Sequence, residues 1–224
     1  GLRIASGYDD SYHLTPARLL RNVLHLGYRG AIIHYVGMSH YFRLLPVGGG
    51  HVVTLEGGAL NTPCAAWHAD FARRAKAMGL GVIWSLSYEL FDAHCPEAWK
   101  QRAENGDPAL TGWTPPSTLL SPAHAGAMSY LQAVSSSFVT MALSEDIAVK
   151  FQVGEPWWWV MPADGRICLY DDAARAALGG SPVSIPDVRG TLSAGQKALL
   201  DAAGAILAAS TTSLCAVVKA LAPE

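Results

Sequence analysis

Charged side chains are scarce in this chain: 15% of its 224 residues are Asp, Glu, Lys or Arg, where an ordinary domain carries about a quarter. The 16 basic residues are scattered and the formal net charge is -2, so the Lys/Arg clusters that phosphate backbones and anionic membranes select are missing. Nucleic acid is not an expected partner. No uninterrupted apolar run reaches the roughly 20 residues that a bilayer requires, and the first residues show no charged-then-apolar signal pattern. A soluble chain without membrane insertion is the expectation. The cysteines Cys64, Cys95, Cys168 and Cys215 form no CxxC pair, and none stands at zinc-finger spacing from paired histidines. No metal site is expected. Two disulfides would fit the count, but four small apolar side chains in a reducing, cytoplasmic setting is the simpler reading. Also missing are GxxxxGK[ST], GxGxxG after a strand, HExxH and GxSxG. With them go the local signatures of phosphate, dinucleotide, zinc-protease and serine-hydrolase chemistry, and no cofactor is implied.

What remains is apolar and rhythmic. Half of the residues are hydrophobic, enough to bury one large core, and 1–224 reads as a single domain. Arg3 to Gly7 is a short apolar strand. Thr15-Pro16 then gives an N-cap and first-turn proline to a helix that Gly27 closes. Gly30 to His34 is an uninterrupted apolar run, as strands covered on both faces require. Residues 36–60 carry Gly48-Gly49-Gly50 between apolar stretches and suggest a β-hairpin excursion. Thr62-Pro63 opens a second helix that ends at Gly79, and Leu80 to Ser87 is a third strand. A loop of about thirty residues follows, long enough to suggest function, with Trp99 and Trp113 to order it. Ser121-Pro122 caps a helix over about 122–143, expected to be the longest, and Ile147 to Val153 is a fourth strand. Beyond it lie an irregular stretch with a short strand at 166–169 and a helical turn at 171–178. A helix opening at Ser193 and a second helical piece over 212–222 complete the chain.

Successive βα units argue for an α/β fold with parallel strands of the TIM-barrel kind. A closed barrel takes about 250 residues and eight strands. Four core strands therefore predict a partial barrel, read as a fragment of a longer polypeptide.

In such a fold the chemistry gathers where strands end. Those positions hold Asp9 and Asp10 after the first strand, His34 and Tyr35 at the second, Tyr88 and Glu89 after the third, and Glu155 with Trp157, Trp158 and Trp159 after the fourth. Two carboxylates on neighbouring strand ends are the minimum set for acid/base or nucleophilic work on a glycosidic bond. Glu155 and Glu89 are the candidate catalytic pair, with Glu155 as proton donor. Asp9, His34, Tyr35, Tyr88 and the three tryptophans are the candidate substrate contacts, since sugar rings stack their C–H faces on flat aromatic surfaces. Each has a plainer alternative: tryptophans in the core, an interior histidine, a glutamate paired with a base, aspartates solvating a loop.

Gly154-Glu155-Pro156-Trp157 resembles the Asn-Glu-Pro end of the fourth strand in the large TIM-barrel glycoside hydrolase clan, where the glutamate is the acid/base. Here Gly154 replaces the asparagine that holds the sugar, and the clan's second catalytic glutamate follows a seventh strand that this chain does not reach. A longer resemblance runs through Ser6-Gly-Tyr-Asp9, Trp84 to Glu89, Trp113 to Pro122, Gly154 to Trp159 and Ile167 to Asp172. On these segments the chain is similar to the glycosidase-like barrel domains of phage and prophage tail proteins, including the non-contractile tail sheath proteins. That resemblance implies a virion tail component with saccharide or other tail proteins as partners, which binds cell-surface polysaccharide and has the means to cleave it. The alternative is a non-catalytic structural or interaction module of the tail. An unrelated barrel enzyme acting on a small metabolite is a third reading.

Overall fold

The computed structural model describes residues 1–37 and 40–223. β1 (Ile4–Gly7) runs into one helical turn, α1 (Tyr8–Ser11), and then into α2 (Pro16–His25), whose N-cap Thr15 accepts a hydrogen bond from the Arg18 amide. β2 (Ala31–Val36) is followed by a hairpin, β3 (Arg43–Val47) and β4 (Gly50–Thr54), turning at Gly48 and Gly49, both in the left-handed region that glycine tolerates. α3 (Thr62–Ala77) leads to β5 (Gly81–Leu86). A second antiparallel pair, β6 (Glu89–Phe91) with β7 (Ser117–Leu119), brackets the long loop. α4 (Ala125–Ser144), β8 (Phe151–Val153), α5 (Asp172–Ala177) and α6 (Ala194–Leu221) complete the chain.

The main sheet is parallel throughout, in the order β1-β2-β5-β8, with β1 and β8 as its edges. With helices against it, this is a partial TIM barrel. Alternation divides its side chains between two faces. One face carries Ile32, His34, Val36, Val82, Trp84 and Leu86, all buried, and meets Phe71 of α3 and Phe138 of α4. The other, which would line the barrel interior, carries Tyr35, Ser85 and Gln152 side by side in register.

Several boundaries differ from those read in the sequence. The second helix takes Asn61 as its N-cap, with Asn61 Oδ1 accepting from the Cys64 amide, so Thr62-Pro63 lies inside its first turn. The third of the helices read in the sequence, α4, begins at Ala125, capped by His124, because Ser121-Pro122 belongs to a turn in which the His124 amide reaches back to the Ser121 carbonyl. The fourth strand pairs only over Phe151–Val153, opposite Trp84–Leu86, although Ile147 and Val149 already pack on the core. Arg166 to Leu169 forms a single bridge, Val160 to Ile167, and no strand of its own. The longest helix is α6, unbroken for 28 residues; within its Ser/Thr run the hydroxyls of Ser210, Thr211 and Ser213 bond carbonyls of the preceding turn. By length and composition α6 could cross a membrane. Lys197, Asp201 and the Ser/Thr run hide that property from a search for uninterrupted apolar residues. Here one stripe of α6, Leu199, Ala203 and Leu214, is buried. The four thiols are free, with Cys64, Cys95 and Cys168 buried and Cys215 exposed.

Candidate functional site

Four strand ends converge on one polar region. Glu89 follows β5 closely, and its side chain is almost fully buried. Burial is the main reason its carboxyl is pushed up to about 7, the charge of Glu155 adds to this, Ser117 as hydrogen-bond partner offsets part of it, and Asp9 adds a further push. Glu155 follows β8, half-buried, with its backbone in the left-handed region at φ 52. Such a conformation costs a residue with a Cβ about 1 kcal/mol or more and collects at functional sites. Asp9, on α1, lies 3.2 Å from His40. A Cβ built on Gly37 would stand 3.4 Å from the Asp9 carboxylate and 3.8 Å from the Ser87 hydroxyl, so both side chains approach the same point beyond β2. Ser85 and Ser87 are buried hydroxyls with no hydrogen-bond partner among the described residues. Asp9, Glu89 and Glu155 thus form an acidic group linked electrostatically across three strand ends.

Gly154 lies against the interior serines. A Cβ there would stand 2.7 Å from the Ser85 hydroxyl, so a side chain at this position requires Ser85 to turn away.

The three tryptophans separate. Trp158 is buried, its indole N–H donating to the Ala203 carbonyl of α6 at 2.9 Å. Trp159 is half-buried against the main core. Trp157 is 42% exposed and is the member that presents a surface. Gln101, fully buried in the long loop, holds this segment: its amide N–H donates to the carbonyls of Leu120 (3.1 Å) and Trp157 (2.9 Å), and its Oε1 accepts from the Trp159 amide (2.8 Å).

Besides Trp158, two further residues expected as ligand contacts belong to the core. His34 is fully buried on the helix-facing side, its Nε2 3.2 Å from Nε2 of His68. Burial, and then the neighbouring His68, drive its basicity far down. The strand's alternation places it there: position 34 shares parity with Ile32 and Val36. Tyr88 is fully buried as well, its hydroxyl 2.8 Å from that of Ser210 on α6. Tyr35 is half-buried on the interior side and lines a hollow beside β1 with Gly7 and Asp10.

Sequence reasoning did not single out Gln101, Ser117 or Lys100. Lys100 is buried between Asp92 (2.7 Å) and Glu97 (2.6 Å) and ties the long loop together. No local motif marks such residues; a polar residue between apolar neighbours is the only trace. No cluster of His, Cys, Asp and Glu suited to a metal ion occurs among the described residues.

The family model for the non-contractile tail sheath protein TIM barrel matches residues 1–224. The chain belongs to this family. Membership assigns no catalytic residue. Among solved structures the tail sheath barrel is similar to one described for inhibition of the pneumococcal virulence factor StrH and for N-glycan recognition and hydrolysis, with 11% identity and a TM-score of 0.52. That alignment covers 98% of this chain and 50% of the other. A second, of the tandem GH20 catalytic modules of the pneumococcal StrH, has 11% identity, a TM-score of 0.46 and coverage of 99% and 51%. A GH31 α-xylosidase from a soil metagenome complexed with xylose follows at 13% identity and a TM-score of 0.41, covering 77% of this chain and 25% of that one. The first likeness is one of fold alone. The tail sheath barrel spans about half the length of the two StrH chains it matches.

Proposed function

We propose that the strand-end site of this tail sheath barrel binds cell-surface polysaccharide and protonates a glycosidic oxygen, with Glu89 as the acid and Glu155 as the opposing carboxylate. The observation that carries this reading is the buried Glu89 carboxyl coupled to Glu155 and Asp9 across neighbouring strand ends. Near neutrality Glu89 retains a proton to give, as a general acid requires. This reverses the roles expected from sequence, in which Glu155 donates. In the step itself the Glu89 proton passes to the bridging oxygen, the bond from that oxygen to the anomeric carbon breaks, and its electron pair leaves with the oxygen. Glu155 stabilises the sugar cation and either adds to the anomeric carbon or takes a proton from the attacking water. Trp157 offers its exposed face to a sugar ring, and Asp9 accepts from sugar hydroxyls.

A second reading is favoured by Gly154 standing where the resembled clan has its sugar-holding asparagine and by the sheath family itself: the site is retained for binding or assembly without turnover. Reducing-end release from host polysaccharide decides between them. Hydrolysis by the wild type that falls at least 100-fold in both Glu89→Gln and Glu155→Gln supports the acid pair. Saccharide binding without any release assigns the site to recognition, and neither binding nor release leaves the structural module.

A further inference from the structure

The long loop carries a solvent-facing tryptophan whose polar end points back towards the acid. Trp113 is 50% exposed, yet its indole N–H donates to the Ser117 hydroxyl at 3.2 Å. Ser117 is fully buried at the start of β7, opposite Phe91 of β6, two residues from Glu89. Its hydroxyl is close enough to the Glu89 carboxyl to favour the ionised form, and it stands 3.0 Å from the hydroxyl of Thr111. The Thr111 oxygen also accepts from the Ser117 amide, and its hydroxyl is within reach of the Ser117 carbonyl, so a small knot of bonds fixes Ser117 in place. An indole N–H can only donate. The Ser117 oxygen therefore accepts from Trp113 and has its proton to give onward. A large aromatic ring half in water is costly without a partner, and this one is held by its N–H and not by burial.

We propose that Trp113 is a second stacking platform for a sugar ring, on the Glu89 side of the site, and that Ser117 is a positioning residue that ties this platform to the Glu89 carboxyl. The proposal rests on the carbohydrate reading given above and adds to Trp157 a separate aromatic surface beside the acid. It predicts that the chain recognises an oligosaccharide segment and not a single terminal sugar, because rings are taken at more than one place. It also predicts that an occupied platform and the state of Glu89 influence each other, since a ring pressed on Trp113 fixes the indole and with it the Ser117 hydroxyl.

Two measurements on the full chain test this. Calorimetric titration with chitohexaose, cellohexaose and a linear mannohexaose compares wild type, Trp113→Phe, Trp113→Ala and Glu155→Gln. For whichever hexasaccharide binds, Trp113→Ala is expected to weaken affinity about tenfold or more and Trp113→Phe about threefold or less, tenfold corresponding to about 1.4 kcal/mol. The carboxyl carbon of Glu89 is followed by NMR across pH in wild type, Ser117→Ala, Ser117→Thr and Trp113→Phe. Its midpoint should rise in Ser117→Ala, rise less in Trp113→Phe, and return towards wild type in Ser117→Thr, a pattern that a purely structural role would not produce. Wild-type affinity in Trp113→Ala together with weakened binding in Glu155→Gln overturns the platform and leaves the wider carbohydrate reading standing. No binding of any hexasaccharide to the wild type removes both the platform and that reading. An unchanged Glu89 midpoint in Ser117→Ala and Trp113→Phe removes the positioning role whatever the saccharides do.

Discussion

Glu89 is costly to keep where it is. Its carboxyl titrates at about 7 in the folded chain against 4.5 for an unshifted group, so between those values the folded state holds a proton that the unfolded chain has released. Stability therefore falls as pH rises through that window, by up to about 3 kcal/mol once the group is ionised at pH 8. Glu89→Gln keeps the shape but removes the ionisation. It should stabilise the chain by up to about 3 kcal/mol in urea unfolding at pH 8 and differ little from wild type at pH 4. Equal stability of the two proteins at pH 8 would mean that Glu89 is not held as described. The glutamate was visible in the sequence because it follows an apolar strand. Its environment was not, because Ser117 lies 28 positions further on and Glu155 follows another strand. His34 shows the converse: the parity that buries it is written in Ala31–Val36, but a strand covered on both faces is apolar at both parities, so the sequence does not say which face meets the helices.

At the scale of elements, the four strands were legible as apolar runs, and the capped helices between them implied that they lie parallel. The shortening of β8 was not, since packing of Ile147 and Val149 needs no ladder partner. The long loop reads as breakers and aromatics, but its order comes from buried polar side chains. Gln101 ties its own loop to two other backbone segments, at Leu120 and at 157–159. Gln101→Ala would leave two buried carbonyls and one amide without their partners. A loss of about 2–4 kcal/mol in denaturant unfolding is expected, with faster proteolysis after residue 153 as the segment around Glu155 loosens. A loss below about 0.5 kcal/mol would show that the segment is held otherwise.

For the molecule as a whole, the response to acid is set by a pair of buried histidines. The His68 Nδ1–H donates to the Cys64 carbonyl at 2.8 Å, which leaves its Nε2 to accept from His34 Nε2–H. Both rings are thereby neutral in fixed tautomers, and burial lowers His68 to about 3 and His34 well below its usual range. The unfolded chain takes up protons from about pH 6.5 downwards while the folded chain does not, so stability falls as pH falls from there towards 3. Between pH 6.5 and 5, two histidines acting against the single opposing Glu89 give a net slope of about one proton, near 1.4 kcal/mol per pH unit. In Glu89→Gln the slope should approach twice that. A flat profile in both proteins over this interval would remove the histidine pair as the acid-sensitive element. The sheet itself has a further consequence. Its spatial order, β1-β2-β5-β8, is also its order along the chain, so no strand has to slip between two that are already paired. During synthesis each strand can leave the ribosome to find its neighbour waiting, and the frame of the molecule can be laid down from one side as translation proceeds. The Tyr88–Ser210 hydrogen bond, 122 positions apart in sequence, can close only after α6 emerges.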